Sequence, residues 1–347
     1  MIIITEREFL MRSGKAGKVL LNILKTIAIP VVVYIVFFLL TKVTTKSAFG
    51  TWNSLKIIFQ QAVLNALVGW AMSFNMLNKR WDFSVGSIVI LGGIIGSNIS
   101  QNLGWGPWGA LLFCLIFGIL FGLFNGVVQI AIAAPTLVTS FGLLMVYETV
   151  ETIVFGGHGA HVKVGSNMTL LGQSPWIFIL AVFFALIHYI IYTYTRFGYN
   201  NRSMANNAPV AKNIGISENK DIMFSYFMCG IFAGVAAVVY MSFRGAVEVS
   251  VDMGTANTVF EAMLPVFIGM FIAKYSNITI GIYIGSLTVK LLTAGLMAVG
   301  LTSTLQTVAN GIFLFIIIAY SSNQERIRQY FLTRKARKQV NDSSGAA

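Results

Sequence analysis

The sequence has few charged residues, few cysteines and few histidines. Charged residues make up 10% of its 347 positions, whereas a soluble domain needs about a quarter to cover its surface. The two cysteines, Cys114 and Cys229, lie in apolar stretches, and the three histidines have no neighbours that would complete a metal or catalytic site. These absences exclude a soluble enzyme, a disulfide framework and a disordered chain.

Hydrophobic residues, in contrast, make up 56% of the chain, and the mean hydropathy is +0.77. They form stretches long enough to cross a bilayer, which takes about 20 apolar residues. We therefore expect an all-α polytopic membrane protein with about ten transmembrane helices. The expected spans are 26–41, 55–76, 83–101, 107–132, 135–155, 175–193, 222–242, 258–273, 278–297 and 303–320.

The basic residues indicate how these spans are oriented. The chain carries 24 Lys and Arg against 12 Asp and Glu, a net charge of +12. With both termini cytoplasmic, 18 of the 24 basic residues lie on the cytoplasmic side, which agrees with the positive-inside rule. The basic excess therefore reflects topology, and we expect no nucleic-acid partner. We expect a cytoplasmic tail over 1–25, a transmembrane domain over 26–320 and a basic cytoplasmic tail over 321–347.

A phosphate-binding loop is missing from the sequence. The pattern G-x-x-x-x-G-K-[ST] does not occur, and the nearest glycine and lysine run, 14–18, lacks its spacing and its Ser or Thr. We therefore expect no ATPase site and no cofactor in this chain. Any ATP would be used by partner subunits.

The ionisable candidates within the expected spans, where charge is costly, are two pairs of residues. Glu148 and Glu151 lie one helical turn apart near a span end, from which they could reach water. Lys290 is the most deeply placed, and an ion pair with a carboxylate on a neighbouring helix would lower its cost. Glu261 lies near the start of the eighth span.

Glycines recur at four-residue spacing in several spans, which places them on one helix face and lets helix backbones approach closely. The repeats are Gly118/Gly122/Gly126, Gly92/Gly96, Gly230/Gly234 and Gly281/Gly285. We expect them to mark packing within the chain rather than a dedicated dimer seam.

Three stretches resemble the permeases of sugar-type ATP-binding-cassette importers, the ribose, xylose and galactose family. The run 122–142, GLFNGVVQIAIAAPTLVTSFG, is similar to that family's GLLNGLLVAKLGIPSFIVTLG-like segment, and DFSVGS at 82–87 resembles its DLSVGS signature. TRFG at 195–198 and NAPVAKNIGI at 207–216 parallel its T-x-FG and N-P-E-A-A-R-L-S-G-I. The motif residues are Asp82, Ser84, Gly86, Asn125, Gly126, Pro135 and Gly142.

The resemblance implies a multi-pass permease of a bacterial cell membrane, working beside a second permease subunit, identical or different. Cytoplasmic ATPase subunits would drive it, and an extracytoplasmic binding protein would deliver the sugar. It also implies that the loop 194–221, here called the coupling loop, docks on the ATPase. We expect a short helix there after Asn206-Asn207, since asparagine is a favourable N-cap. The matching positions are Asn207, Ala211, Lys212, Gly215 and Ile216.

The substrate pathway is expected where polar or charged side chains interrupt apolar spans, because unsatisfied polar groups in lipid are penalised. Interhelical hydrogen bonding is the alternative for any one of these residues. The candidates are Asn65, Ser73, Asn75, Thr139, Ser140 and Glu261.

Two other functions stay open. A permease for branched-chain amino acids or nucleosides would share much of this architecture. An ion-coupled secondary transporter would need inverted repeats and paired carboxylates near the middle of the membrane. The sequence shows no convincing repeat, and its carboxylates lie near span ends.

Overall fold

The computed structural model of the chain describes residues 15–44, 49–163 and 166–313, with a few isolated positions between 315 and 329. Within these residues the fold is almost entirely α-helical, and the exception is one antiparallel pair of two-residue strands. The predicted all-α class is therefore confirmed.

Eleven helices are defined by their bounds in the described residues, and 303–313 are helical as well. The strands are β1 (Ala160–His161) and β2 (Ala246–Val247), and short 3₁₀ turns cover Val154–Gly157 and Leu170–Gly172. The helices are α1 Lys15–Thr44, α2 Trp52–Met76, α3 Ser84–Leu103, α4 Gly106–Ile132, α5 Thr136–Ile153, α6 Trp176–Tyr194, α7 Arg196–Asn206, α8 Ala208–Asn213, α9 Glu218–Arg244, α10 Ala256–Ile272 and α11 Ile278–Ala298.

Eight of the described helices, α1 to α6, α9 and α11, are long and apolar enough to cross a membrane. The apolar helix α10 has 17 residues. Each of the first nine expected spans falls on one of these nine helices, so the polytopic membrane architecture is confirmed. The end of the tenth span, 303–320, and most of the tail 321–347 lie outside the described residues, so the count of ten stays a prediction.

Helices α2, α3 and α9 form the centre of the bundle. In these helices 78%, 78% and 72% of the most apolar window is buried, against 17% in α1 and 28% in α4. The outward row of α4, in contrast, is apolar and exposed at four-residue spacing: Leu112, Ile116, Leu120 and Phe124. A helix that presents such a row to its surroundings is suited to contact with lipid.

The glycine repeats lie at helix contacts inside the chain. A Cβ added to Gly118 would lie 2.4 Å from the Gly230 carbonyl oxygen, and one on Gly230 would lie 2.3 Å from that of Gly118. On the α10–α11 contact, a Cβ on Gly281 would lie 2.6 Å from the Gly269 oxygen. The prediction of packing within the chain is confirmed at these positions.

The loops that were expected on one side of the membrane lie together at one end of the bundle. Arg80, in the turn between α2 and α3, forms an ion pair with Asp221 in the first turn of α9, 2.9 Å apart. At the other end, the loops after α5 and α9 meet through β1 and β2, with Ala160 opposite Val247. This grouping agrees with the expected topology, while the assignment of the cytoplasmic side stays a prediction.

Candidate functional site

The coupling loop contains two short helices. The Thr195 side chain accepts a hydrogen bond from the backbone N–H of Gly198 (3.3 Å) and begins α7. Asn207 does the same for α8 by accepting from the backbone N–H of Val210 (3.3 Å), as expected for an N-cap. After α8, Gly215 has φ +90°, a left-handed conformation that glycine adopts without strain. The sequence predicted α8 but missed α7, whose residues are mostly polar.

Apolar side chains point outward from α8. Val210 is 54% exposed and Ile214, one turn later, is 71% exposed, whereas Ala211 faces inward and is buried. Lys212 forms an ion pair with Glu218 at the start of α9, and Ile216 is half-buried. An exposed apolar pair at the end of a polar loop is suited to contact with another protein.

Helix α7 is fixed to the bundle by Asn201, which is fully buried. Its side-chain amide donates to the Phe74 carbonyl (3.2 Å), the Asp221 carboxylate (3.4 Å) and the Ser225 hydroxyl (3.3 Å). Asp221 also pairs with Arg80, so one carboxylate joins α7, α9 and the turn between α2 and α3. Because a buried charge is costly without partners, we expect these contacts to keep α7, α9 and the turn between α2 and α3 together.

The motif residues Asp82, Ser84 and Asn125 are brought together by hydrogen bonds. The Ser84 hydroxyl and backbone N–H donate to one carboxylate oxygen of Asp82 (2.5 and 3.0 Å). The Asn125 amide donates to the Ser84 hydroxyl (2.6 Å), and the Tyr147 hydroxyl donates to the Asn125 carbonyl (2.5 Å). All four side chains are buried, so the motif residues Asp82 and Ser84 form one polar cluster with Asn125, which lies 41 positions after Ser84.

The remaining motif residues have packing and backbone roles. A Cβ on Gly86 would lie 2.2 Å from the Thr255 carbonyl oxygen, and one on Gly126 would lie 3.1 Å from the Met223 sulfur. Pro135 immediately precedes α5. Gly142 is exposed, and a Cβ there would meet nothing within 4 Å. Nothing within the described part of the chain therefore requires a glycine at 142.

Two carboxylates of α5 hold the loop 248–255, here called the pre-α10 loop. Glu148 accepts from the backbone N–H groups of Met253 (2.9 Å) and Thr255 (2.8 Å), and Glu151 accepts from that of Ser250 (3.0 Å). Glu148 and Glu151 are 5% and 0% exposed. The expectation that they reach water at a span end is therefore wrong, because the loop folds over them.

Five of the six pathway candidates are buried. Each forms a hydrogen bond within the chain: Asn65 to the Glu261 carbonyl (3.2 Å), Ser73 with His188 (2.8 Å), Asn75 to Asp82 (3.4 Å), Thr139 to Gln129 and Ser140 to the Trp81 carbonyl (3.1 Å). The contacts of Asn65, Ser73 and Thr139 match the interhelical alternative, whereas Asn75 and Ser140 bond to the turn between α2 and α3. A role in the pathway stays a prediction.

Glu261, the sixth candidate, has the opposite environment. Its side chain is 55% exposed on α10, and it forms an ion pair with Lys290 of α11 at 2.8 Å. The predicted pairing of Lys290 with a carboxylate on a neighbouring helix is confirmed. An exposed carboxylate on an apolar helix cannot face hydrocarbon without a large cost, so this face of α10 should meet water or protein.

Residues that sequence reasoning missed include Asn201, Asp221 and Tyr147. Asn201 and Asp221 lie in the coupling loop and join it to Phe74 and Arg80, and Tyr147 contacts the motif residue Asn125. Their signal was weak, because an isolated Asn, Asp or Tyr near a span end is usual in membrane proteins. Among the described residues, no group of three His, Cys, Asp or Glu is placed to hold a metal ion.

Comparison with known proteins identifies relatives over most of the chain. The family described as "Branched-chain amino acid transport system / permease component" matches residues 54–320. The ribose import permease protein of Escherichia coli (strain K12) is 23% identical over 294 residues, which cover 81% of this chain and 89% of that protein.

Other relatives match over a shorter stretch. The autoinducer 2 import system permease protein of Enterobacter sp. (strain 638) is 27% identical over 210 residues, 59% of this chain and 61% of that protein. The same-named protein of Yersinia pseudotuberculosis (strain IP 31758) is 28% identical over 193 residues, 54% of each chain. The chain thus spans little more than half the length of these two relatives. No solved structure matches the chain.

Proposed function

Since this chain belongs to the family of transport-system permease components that its residues 54–320 match, we propose that it forms the transmembrane pathway of an ATP-binding-cassette importer for a sugar. A permease component is one subunit of a larger transport system and is not an enzyme. The resemblance to importer permeases drawn from the motifs is thereby confirmed at the level of the family. With the membrane-spanning helices, it also confirms a multi-pass membrane protein.

The sugar assignment rests on the relatives. The relative that covers 81% of the chain is a ribose import permease, and others import autoinducer 2. The family description names branched-chain amino acids, which keeps a branched-chain amino acid permease as the second candidate. We propose that a separate extracytoplasmic binding protein selects and delivers the substrate.

The exposed pair Val210 and Ile214 supports the proposed ATPase contact. The Val210 side chain projects from α8 and that of Ile214 from the residue that follows it, at the end of the bundle that carries most of the basic loops. Asn207 caps α8 and Gly215 ends it, so the pair has a fixed presentation. We propose that α8 docks on a cytoplasmic ATPase subunit, which uses the ATP, and that a closing ATPase pair pushes on it.

The ion pair of Glu261 and Lys290 supports the location of the pathway. The exposed face of α10 carries Phe260 and Asn257 beside Glu261. In a complete transporter this face would be covered by a second permease subunit or would line a water-filled route. We therefore propose that substrate passes along α10, between two permease subunits.

An ion-coupled secondary transporter is less well supported. Such a protein would use carboxylates that can bind and release ions or protons. Glu148 and Glu151 instead accept backbone hydrogen bonds from the pre-α10 loop. Glu261 is paired with Lys290.

The test is recovery of the intact complex from native membranes through a tag on this chain. We expect an ATPase subunit to co-purify, and ATP-dependent uptake of ribose or a related sugar after reconstitution. Replacing both Val210 and Ile214 with Asp should abolish co-purification, because the buried apolar contact is lost. Val251→Asp, at an equally exposed valine in the pre-α10 loop, is the matched control and should retain it.

Two results would contradict the proposal. Uptake driven by an ion gradient without ATP would identify a secondary transporter. ATP-dependent uptake of leucine but not of sugars would support the ATP-driven importer and contradict the sugar as its substrate.

A further inference from the structure

Buried hydrogen bonds form a connection from the coupling loop, through the bundle, to the pre-α10 loop. We propose that this connection transmits movement of α7 and α8 to the pre-α10 loop during transport, with Asn125 and Tyr147 as positioning residues at its centre. The inference rests on the proposed function, because the movement at one end is supplied by the ATPase. It gives the motif residues Asp82, Ser84 and Asn125 a shared task.

The first step joins α7 to the turn between α2 and α3. The buried Asn201 donates to Asp221, and Asp221 forms its ion pair with Arg80 (2.9 Å). The Asn78 side chain also donates to Asp221 (3.1 Å). Arg80 and Asp221 are 9% and 4% exposed, so water contributes little to screening this pair. A displacement of α7 must therefore move the turn or break a buried ion pair.

The second step runs within the turn. The backbone N–H of Arg80 donates to the Asn75 carbonyl (3.1 Å), and the Asn75 side-chain amide donates to Asp82 (3.4 Å). Asn75 is fully buried at the end of α2. The ion pair and the Asp82 cluster are thus held by the same residue.

The third step crosses from α3 to α4 and α5. Tyr147 donates to Asn125, Asn125 donates to Ser84, and Ser84 donates to Asp82, over 2.5, 2.6 and 2.5 Å. Each of the three donors is oriented toward the Asp82 carboxylate. Hydrogen bonds aligned in this way polarise one another, so the whole series is stronger than its separate bonds.

The fourth step reaches the pre-α10 loop. Glu148 follows Tyr147 on α5 and accepts the backbone N–H groups of Met253 and Thr255. Asp252 and Met253 both have positive φ, 56° and 61°, which is unfavourable for residues with a Cβ. The loop keeps this strained form while Glu148 holds it, so a shift of α5 could release it into a second conformation.

A direct contact reinforces the last step. The carbonyl of Thr255 approaches Gly86 so closely that a Cβ there would lie 2.2 Å away. Gly86 lies in the first turn of α3, two residues after Ser84. The pre-α10 loop therefore contacts α3 at Gly86 as well as α5 at Glu148.

A second buried polar cluster provides the comparison. His188 lies 2.8 Å from the Ser73 hydroxyl and 2.7 Å from the Thr279 hydroxyl, and it joins α6 to α2 and α11. It is as buried as the Asp82 cluster. It has no hydrogen bond to the coupling loop or to the pre-α10 loop among the described residues. If buried hydroxyls only stabilised the fold, removing one from either cluster would reduce transport to the same extent.

The experiment uses the complete transporter, reconstituted with its ATPase and binding protein. Tyr147→Phe removes the hydroxyl at the centre of the proposed hydrogen-bond connection. We expect the amount of substrate transported per ATP hydrolysed to fall about fivefold or more, the lower end of usual coupling between sites. Hydrogen exchange of 250–255 should respond to an ATP analogue in the wild type and not in this variant.

Thr279→Val is the matched control, since it removes one similarly buried hydroxyl from the His188 cluster. It should keep the wild-type transport per ATP and the wild-type exchange response. Equal losses in the two variants, or an unchanged Tyr147→Phe, would overturn the inference. Should Tyr147→Phe not assemble, Glu148→Gln is measured in its place and is expected to release the loop without nucleotide. A wild-type chain that binds no ATPase would instead refute the proposed function.

Discussion

At the scale of single residues, Asp82 is the acceptor at which the polar cluster ends. Burial raises the pKa of Asp82 to about 6, even though its hydrogen bonds with Ser84 and Asn75 favour the ionised form. The folded protein therefore binds a proton here at higher pH than the unfolded chain, for which the pKa is 3.8. The resulting stability is present in acid and is lost as pH rises through about 6.

Replacing Asp82 with Asn removes this titration. Compared with the variant, the wild type should gain about 1 kcal/mol in unfolding free energy on going from about pH 7.5 to about pH 5. Thermal unfolding in detergent at the two pH values measures the difference. Asp252→Asn makes the same substitution at an exposed aspartate and is the variant for comparison. If the wild type instead lost unfolding free energy relative to the variant on going to the lower pH, the predicted direction of the pH dependence would be wrong.

At the scale of helices, the α4–α9 contact depends on glycines that face each other. A Cβ on Gly230 would lie 2.3 Å from the Gly118 carbonyl oxygen, an overlap that only a backbone shift can relieve. Gly230→Ala should therefore lower the unfolding free energy by about 1 to 3 kcal/mol. Thermal unfolding of the purified protein checks this value.

Gly92→Ala is the control for the same substitution inside a helix. A Cβ at Gly92 would meet nothing within 4 Å, so this variant should be as stable as the wild type or more stable by about 0.4 to 1 kcal/mol. Equal destabilisation by both changes would indicate a loss of helix packing that is unrelated to the α4–α9 contact.

The helices also show how much of the fold can be predicted from the sequence alone. Hydrophobic length predicted nine helices, and the Asn207 cap predicted α8, because both signals are local. Helix α7 was missed since its residues give no apolar run. The Glu148–Thr255 contact joins residues 107 positions apart. A contact of that kind depends on how helices pack, which a single sequence does not encode locally.

At the scale of the whole molecule, the outer surfaces of the helices differ in polarity. The exposed rows of α4 and α6 are apolar, as lipid contact requires. The exposed face of α10 carries the Glu261 side chain, 55% exposed and paired with Lys290. The chain is therefore incomplete on that side, since a charge there needs water or protein as its neighbour.

Cysteine labelling of the assembled transporter tests this asymmetry. Phe260, beside Glu261 on α10, and Leu186 on α6 are 49% and 54% exposed, and both native cysteines are buried, which keeps background labelling low. Phe260→Cys should react with a membrane-impermeant maleimide or form a cross-link to a second permease subunit, because it faces a pathway or an interface. Leu186→Cys should do neither in lipid. If both stay unreactive with and without ATP, lipid covers α10, and the substrate route must lie elsewhere in the bundle.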